Sequence, residues 1–256
     1  MNTVALLTDF GNKEWYVGVM KSIIEDLAPD SRIIDITHEI NPQNVHAGSF
    51  ILWNAYQYFK PGTVFIGVVD PGVGTDRPIY CVETDRHIFV VPDNGLLNFI
   101  LPEVMVRKVY NVEHKAYFRS HISQTFHGRD VFAPVGGHLA NGLNPAKLGP
   151  EVNIYIPEAP IQYVKGRGKY EGHVVYIDRF GNLVSNLYLM GSYHAQVVIN
   201  GYAIDCLHEA YADVAEGQVI ALKGSSDLLE ISVRNGNASE HLGALYHTKV
   251  NLEVID

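Results

Sequence analysis

The chain has 256 residues, of which 47% are hydrophobic and 18% charged, so it can bury one large core or two modest ones. Its net charge of −9, from 28 acidic and 19 basic residues, argues against a nucleic-acid partner, because phosphate backbones bind basic surfaces. No apolar run approaches membrane-spanning length, and no basic and apolar leader opens the chain. We therefore expect no membrane partner, and from the length we expect two domains. The two cysteines, Cys81 and Cys206, are expected to be reduced core residues of a cytoplasmic protein.

The first half of the sequence alternates strand-like and helix-like segments. Short apolar runs predict strands at residues 4–8, 32–37, 63–69, 79–83 and 87–91. Apolar residues at helical spacing predict helices at residues 15–26, 45–59 and 131–140. Such alternation is typical of a mainly parallel sheet covered by helices, and we therefore predict an α/β domain over residues 1–157.

The second half has a different pattern. A connection rich in proline and glycine covers residues 158–167. Beyond it, short strand-like runs separated by turn residues follow one another at 172–178, 196–199, 219–222, 228–233 and 249–254. This pattern predicts a smaller β-barrel domain, or a sandwich, over residues 168–256.

Three charged or titratable residues of the first half each lie at a glycine-rich bend. Asp70 and Arg77 belong to Val-Asp-Pro-Gly-Val-Gly-Thr-Asp-Arg (69–77), and His127 belongs to Phe-His-Gly-Arg-Asp (126–130). Asp70 follows a predicted buried strand, and the carboxyl ends of parallel strands are where open α/β sheets bind ligands. A carboxylate, a guanidinium and an imidazole can together hold a water molecule, polarise it and take its proton. We interpret these three residues as a candidate catalytic set.

Other segments have both a functional and a plain structural interpretation. Asp9 ends the first predicted strand, where its carboxylate could accept ribose hydroxyl groups or simply cap a turn. Phe180 and Asn182 could stack on adenine and pair with its edge, but Phe-Gly-Asn also favours an ordinary hairpin turn. Pro-Asp-Asn-Gly at 92–95 is interpreted as a turn. The histidines lack the spacing of adjacent helical metal ligands, so we predict no catalytic metal and no cofactor.

Six segments occur in a characteristic order along the chain. They are Leu-Thr-Asp-Phe-Gly (7–11), Asp-Ile-Thr-His-Glu-Ile (35–40), Val-Asp-Pro-Gly-Val-Gly with the following Arg (69–77), Pro-Asp-Asn-Gly (92–95), Phe-His-Gly-Arg-Asp (126–130) and Ile-Asp-Arg-Phe-Gly-Asn (177–182). In this order and spacing, the chain closely resembles the S-adenosyl-L-methionine hydroxide adenosyltransferases, which are relatives of the fluorinases and chlorinases. The resemblance covers nearly the whole chain.

The resemblance implies hydrolysis of S-adenosyl-L-methionine at ribose C5′, giving adenosine and methionine, with Asp70, Arg77 and His127 as the residues that activate water. Halogenating relatives replace these residues with a halide pocket, so we expect water as the nucleophile. Of the three, His127 is the expected proton acceptor, because an ordinary histidine pKa of about 6.5 is closer to neutrality than an aspartate pKa of about 3.9. Asp70 is then expected to orient the water and Arg77.

The resemblance also implies the substrate contacts. It assigns ribose to Asp9, adenine to Phe180 and Asn182, the methionine ammonium group to Asp178 and the methionine carboxylate to Ser225. It further implies a homotrimer whose active sites combine the first domain of one chain with the second domain of a neighbour.

Two departures from the family pattern and two alternative functions stay open at this point. Gln43 stands where the family usually has an aromatic residue, and Asp227 stands where a glycine usually ends an Asn-Ser-x-Gly segment. The chain could instead be a sensor that binds S-adenosylmethionine or adenosine without turnover, or a halide-using sibling. A sensor has no need of Arg77 and His127 beside C5′, so the three candidate catalytic residues favour the hydrolase.

Overall fold

The computed structural model describes residues 2–255, which form two compact units that divide in sequence between Glu158 and Ala159. The predicted α/β fold class is confirmed, with a parallel-rich sheet and helices in the first unit and a nearly closed, barrel-like sheet in the second. The domain boundaries predicted from the sequence stay predictions. Within residues 2–255, none of the helices combines the length and the apolar character that crossing a bilayer requires.

The first unit is built on one six-stranded sheet. Its elements are β1 (Thr3–Thr8), α1 (Tyr16–Leu27), β2 (Arg32–Thr37), α2 (Val45–Tyr56), β3 (Val64–Val68), β4 (Ile79–Thr84), β5 (Ile88–Pro92), β6 (Val106–Asn111) and α3 (Ala133–Ala140), with short 3-10 turns at Lys115–Tyr117 and Pro145–Lys147. The strand order is β2-β1-β3-β5-β4-β6. The first four strands in this order are parallel, whereas β4 is antiparallel to both of its neighbours.

The helices pack closely on this sheet because small residues face it. In α3, a Cβ atom added to Gly136 would collide with Ile66 of β3, and one added to Gly137 would lie 2.9 Å from Leu27 of α1. The two glycines therefore allow the helix backbone to approach both the sheet and its neighbouring helix. β3 is buried along its whole length, as expected for a central parallel strand.

The carboxyl ends of the four parallel strands lie at one edge of the sheet. Asp9 directly follows β1, Asp70 follows β3 by two residues, and Asp93 directly follows β5. Thr8 pairs with Val68, so the chain leaves β1 and β3 at the same level of the sheet. Neighbouring strands lie about 4.8 Å apart, and this edge therefore collects the candidate carboxylates.

The second unit is a curled, mainly antiparallel sheet with one short helix. Its elements are β7 (Gln162–Val164), β8 (Gly168–Ile177), β9 (Leu183–Leu189), β10 (Ala195–Ile199), β11 (Tyr202–Ile204), β12 (Leu207–His208), a 3-10 turn at Tyr211–Asp213, β13 (Val219–Lys223), β14 (Leu228–Val233), α4 (Ala238–Leu242) and β15 (Lys249–Val254). The strand order is β11-β10-β15-β8-β9-β14-β13-β12, and β7 pairs with β9. Among the described strands of this unit, only the β12–β13 and β7–β9 pairs are parallel. β8 pairs with β15 along its first part and with β9 along its second, which allows the sheet to curl around its core.

Candidate active site

Asp70 and Arg77 form a buried ion pair in the first unit. Arg77 Nε donates to Asp70 Oδ1 at 2.7 Å, and Arg77 Nη2 donates to Asp70 Oδ2. The side chains of Asp70 and Arg77 are only 4% and 10% exposed. A bidentate pair of this kind fixes the orientation of both groups, since a planar guanidinium matches the geometry of a carboxylate.

Two glycines explain why the turn after β3 brings this pair together. A Cβ atom at Gly72 would lie 3.3 Å from Arg77 Cδ, so the arginine side chain folds back over a position that has no side chain. Gly74 has φ +79°, and a Cβ atom there would collide with the backbone oxygen of Gln124. The second glycine therefore allows a distant loop, which carries His127 three residues later, to approach the turn.

His127 completes the network predicted from the sequence. Its Nδ1 atom lies 3.3 Å from Arg77 Nη2. Because a guanidinium has only donors, we assign the lone pair to Nδ1 and the proton of the neutral ring to Nε2. Burial and the neighbouring Arg77 charge lower the pKa of His127, against the opposing effect of Asp70 and Asp130. The lowered pKa favours the neutral imidazole, whose basic atom is directed toward the arginine.

Asp130, which the sequence analysis did not single out, holds the segment that carries His127. A wide helical turn at Gly128–Phe132 leads into α3 and places Asp130 in the interior, with no exposed surface. Its carboxylate accepts hydrogen bonds from Ser123 N–H at 2.9 Å and from Arg129 Nε and Nη2 at 2.7 and 2.8 Å. Burial opposes ionisation, but the bonds from Arg129 and Ser123 are sufficient to lower the pKa of Asp130. The sequence signal for this role was the adjacent Arg129 and Asp130 in the Phe-His-Gly-Arg-Asp motif.

Aromatic side chains surround the chain next to His127. Phe126 makes edge contacts with Phe10, Trp15 and Tyr16, with ring centroids 5.8, 5.6 and 5.0 Å away. This cluster supplies apolar surface at the residue directly before His127, although Trp15 is itself 55% exposed.

Asp9 lies at the end of the strand next to that of Asp70, and its carboxylate is held by a backbone amide. Gln43 N–H donates to Asp9 Oδ2 at 2.8 Å. The contact uses the backbone of Gln43, which has φ +64°, so the loss of the usual aromatic side chain does not remove it. The loop is also fixed by His38, whose Nδ1 lies 2.8 Å from Thr8 Oγ1 and whose backbone oxygen accepts from Gly11 N–H at 2.7 Å.

The second unit places Asp178, Phe180 and Asn182 in one tight turn between β8 and β9. Asp178 Oδ1 accepts from the backbone N–H groups of Phe180 and Asn182 at 2.8 and 2.9 Å, and Oδ2 accepts from Asn182 Nδ2 at 2.9 Å. Gly181, with φ +82°, permits the turn. Phe180 is 73% exposed, whereas Asn182 is 9% exposed. Asp178 thus organises the turn and presents a free aromatic face at the surface.

Ser225 lies on a different turn, between β13 and β14, and is exposed. The extra carboxylate at Asp227 is paired by one residue of β13 and one of β9. Asp227 Oδ1 is 2.7 Å from Lys223 Nζ, and Oδ2 accepts from Tyr188 Oη at 3.0 Å. These two partners lower the pKa of Asp227, so its extra charge is paired locally.

Comparison with known families gives two matches that together cover most of the chain. The profile described as the SAM hydroxide adenosyltransferase N-terminal domain matches residues 4–149, and that of the C-terminal domain matches residues 172–251.

Individual relatives agree with these matches. The (R)-S-adenosyl-L-methionine hydrolase of Thermus thermophilus is 36% identical, with 95% of this chain and 96% of the relative covered. That of Methanocaldococcus jannaschii is 32% identical, with 98% and 96% covered. A fluorinase of Actinopolyspora mzabensis is more distant, at 25% identity over 72% of this chain and 71% of its own. The crystal structure of a conserved protein from Thermotoga maritima superposes with a TM-score of 0.86 at 34% identity, covering 97% of this chain and 99% of its own.

Proposed function

The chain belongs to the SAM hydroxide adenosyltransferase family, and we propose that it is an enzyme that hydrolyses S-adenosyl-L-methionine to adenosine and methionine. The observation that carries the proposal is the continuous contact from Asp70 through Arg77 to His127. The relatives are named for the (R) form of the substrate, and we propose the same preference here.

The chemistry explains what the site has to supply. A sulfonium is already a good leaving group, so the difficulty lies in the nucleophile. Water has a pKa of about 15.7, and forming free hydroxide at pH 7 costs about 12 kcal/mol. In the proposed step, the water oxygen forms a bond to C5′ while the C5′–S bond breaks. The electron pair of that bond neutralises the sulfur, and the water proton moves to a base on the enzyme.

We assign the proton to His127 and the stabilisation of the oxygen to Arg77. The Nδ1 atom is the basic atom of the neutral ring, and it faces Arg77 Nη2 across 3.3 Å. A water molecule that replaces this direct contact could give its proton to Nδ1 while its oxygen accepts from Nη2. Asp70 holds the guanidinium in place and offsets the positive charge that forms on the imidazole.

The remaining residues are proposed to bind the substrate. Asp9 lies at the sheet edge beside Asp70, where its carboxylate can accept ribose hydroxyl groups. Phe180 offers its exposed face to adenine. Asn182 Nδ2 already donates to Asp178, so Asn182 Oδ1 is the atom assigned to the adenine amino group. Asp178 is assigned to the methionine ammonium group and Ser225 to the methionine carboxylate.

The test is product analysis with the separated sulfonium epimers in oxygen-18 water. We expect equal amounts of adenosine and methionine from the (R) epimer, with the label in the 5′-hydroxyl group of adenosine. Label in methionine would contradict attack at C5′. Binding without adenosine at any pH would favour the sensor, and a 5′-chloro product in high chloride would favour the halide-using sibling.

We further propose that the protein is a homotrimer whose active sites are shared between neighbouring chains. We also propose that it acts in the cytoplasm and binds no nucleic acid. The proposed water-activating residues precede the division at residue 158, and the proposed adenine and methionine contacts follow it. Ligand pockets are common at domain interfaces, and a cyclic oligomer would repeat one such interface around its axis. Co-expression of His127→Ala with Asn182→Ala chains tests this, since random assembly would restore roughly a quarter of the shared sites. No recovery in confirmed mixed oligomers would exclude sharing.

A further inference from the structure

The turn of residues 92–95 lies beside the turn that carries Asp70. It follows β5, which pairs with β3 in parallel. The Asn94 Nδ2 atom donates to the backbone oxygen of Val69 at 2.7 Å, and Val69 is the residue immediately before Asp70. Asn94 is half-buried, and Val69 is fully buried.

The same turn also contacts the residue after Arg77. Asp93 N–H donates to the backbone oxygen of Pro78 at 3.0 Å. One turn therefore holds a backbone neighbour of each member of the Asp70–Arg77 pair. The Asn94 side chain makes this possible because its Oδ1 accepts from Leu96 N–H at 3.3 Å while its Nδ2 reaches Val69.

The bond to Val69 lies beyond the end of the sheet ladder. Pairing of β3 with β1 ends at Val68, and pairing of β3 with β5 ends at Ile66. Val69 thus lies beyond the paired part of β3, so its buried carbonyl needs a hydrogen-bond donor from outside the strand ladder. Asn94 supplies that donor at the point where the chain turns to deliver Asp70.

We propose that Asn94 is a positioning residue for hydrolysis, which fixes the Val69 carbonyl and thereby sets Asp70 and Arg77 relative to His127. The inference rests on the proposed function. An asparagine suits the position because it combines a donor for the carbonyl with an acceptor for Leu96 N–H, whereas an aspartate has only the acceptor. Small displacements of groups that stabilise a transition state reduce turnover more than binding.

The first experiment compares Asn94→Asp and Asn94→Ala with Asn98→Ala, a matched control at an exposed asparagine of the same segment. We expect both Asn94 variants to lower kcat about 10- to 100-fold while KM changes less than about 3-fold. The control should keep both values. Having two substitutions keeps the test usable if the alanine variant fails to fold.

The second experiment reads the geometry without activity. Histidine labelled with nitrogen-15 reports the pKa of His127, whose charged neighbours are Arg77, Asp70 and Asp130. If Asn94→Ala or Asn94→Asp lets Arg77 move away, the pKa of His127 should rise toward the ordinary value, whereas Asn98→Ala should leave it unchanged.

The two readouts separate the possible failures. If the wild type hydrolyses S-adenosylmethionine and the Asn94 variants lose only thermal stability, with kcat and the His127 pKa unchanged, the positioning role is wrong. If the wild type itself releases no adenosine, the proposed function fails. The pKa comparison then still decides whether Asn94 positions Arg77.

Discussion

The Asp70–Arg77–His127 network and the Asp178–Asn182 turn are built in opposite ways. In the network, Arg77 contacts His127, which lies 50 residues later in the sequence. The Asp70 side chain of this network is only 4% exposed. In the turn, the Asp178 carboxylate is bound within five residues by two backbone N–H groups and the Asn182 side chain, and Phe180 is 73% exposed. Groups proposed to stabilise a developing charge are thus buried and held from several directions, whereas groups proposed to recognise a base are held locally at the surface.

The comparison predicts that damage to the network reduces turnover and damage to the turn reduces affinity. The largest effect is expected from Arg77→Ala. It removes the donor proposed to stabilise the attacking oxygen and leaves Asp70 buried without its partner, so kcat should fall about 1,000-fold and the melting temperature should also fall.

Arg107→Ala is the matched control for that change, because Arg107 is an exposed arginine of β6. Steady-state kinetics and thermal melting should show little change in the control. If Arg77→Ala raised only KM, Arg77 would act in substrate binding, and the buried network would not be what sets turnover.

The next effect is expected from His127→Ala, which should lower kcat by about 100- to 1,000-fold with a small change in KM. Since burial and Arg77 lower the pKa of His127, the wild-type kcat/KM should fall only as pH drops below the ordinary histidine value near 6.5. Below the shifted pKa the imidazole is protonated and cannot accept the water proton. If kcat/KM of the His127→Ala variant still fell at the same low pH, a group other than His127 would cause that fall.

Gly74→Ala tests the close approach that joins the two halves of the network. The residue has φ +79°, and an added methyl group would meet the Gln124 backbone oxygen, so the loop carrying His127 must move. We expect kcat to fall about 10- to 100-fold and the protein to lose about 1–3 kcal/mol of stability. Gly142→Ala is the control, since Gly142 has φ +92° but open space around its Cβ position. If both variants lost kcat equally, backbone strain would explain the loss, and the close approach of the Gln124 loop to Gly74 would not.

The smallest effect is expected from Phe180→Ala. Stacking of a base on an aromatic ring contributes about 1–3 kcal/mol, so the dissociation constant for S-adenosylmethionine should rise about 5- to 150-fold. The exposed ring contributes little to packing, and the melting temperature should hold. Isothermal titration in the His127→Ala background, whose turnover is expected to be slow, measures this effect with and without Phe180→Ala. An unchanged dissociation constant would remove Phe180 from the proposed adenine site.

Local patterns in the sequence predicted many elements because their causes are local. The apolar runs at β1 and β3 and the helical spacing of α1 were located to within one residue at each end. β6 was not predicted, since Arg107 and Lys108 interrupt its apolar pattern on an exposed edge. The helix predicted at residues 131–140 proved to be α3 preceded by a wide turn at Gly128–Phe132, because apolar periodicity does not report how backbone hydrogen bonds are spaced.

The sequence by itself determined the fold class and the order of motifs, and it placed Asp70 at the end of a buried strand. It also indicated which residue types could activate water. The tertiary structure alone decided that Gly74 meets Gln124, that Arg77 bridges Asp70 and His127, and which ring nitrogen of His127 faces Arg77. These features depend on which distant segments pack together and on how much water they exclude, and neither property leaves a signature in the adjacent residues.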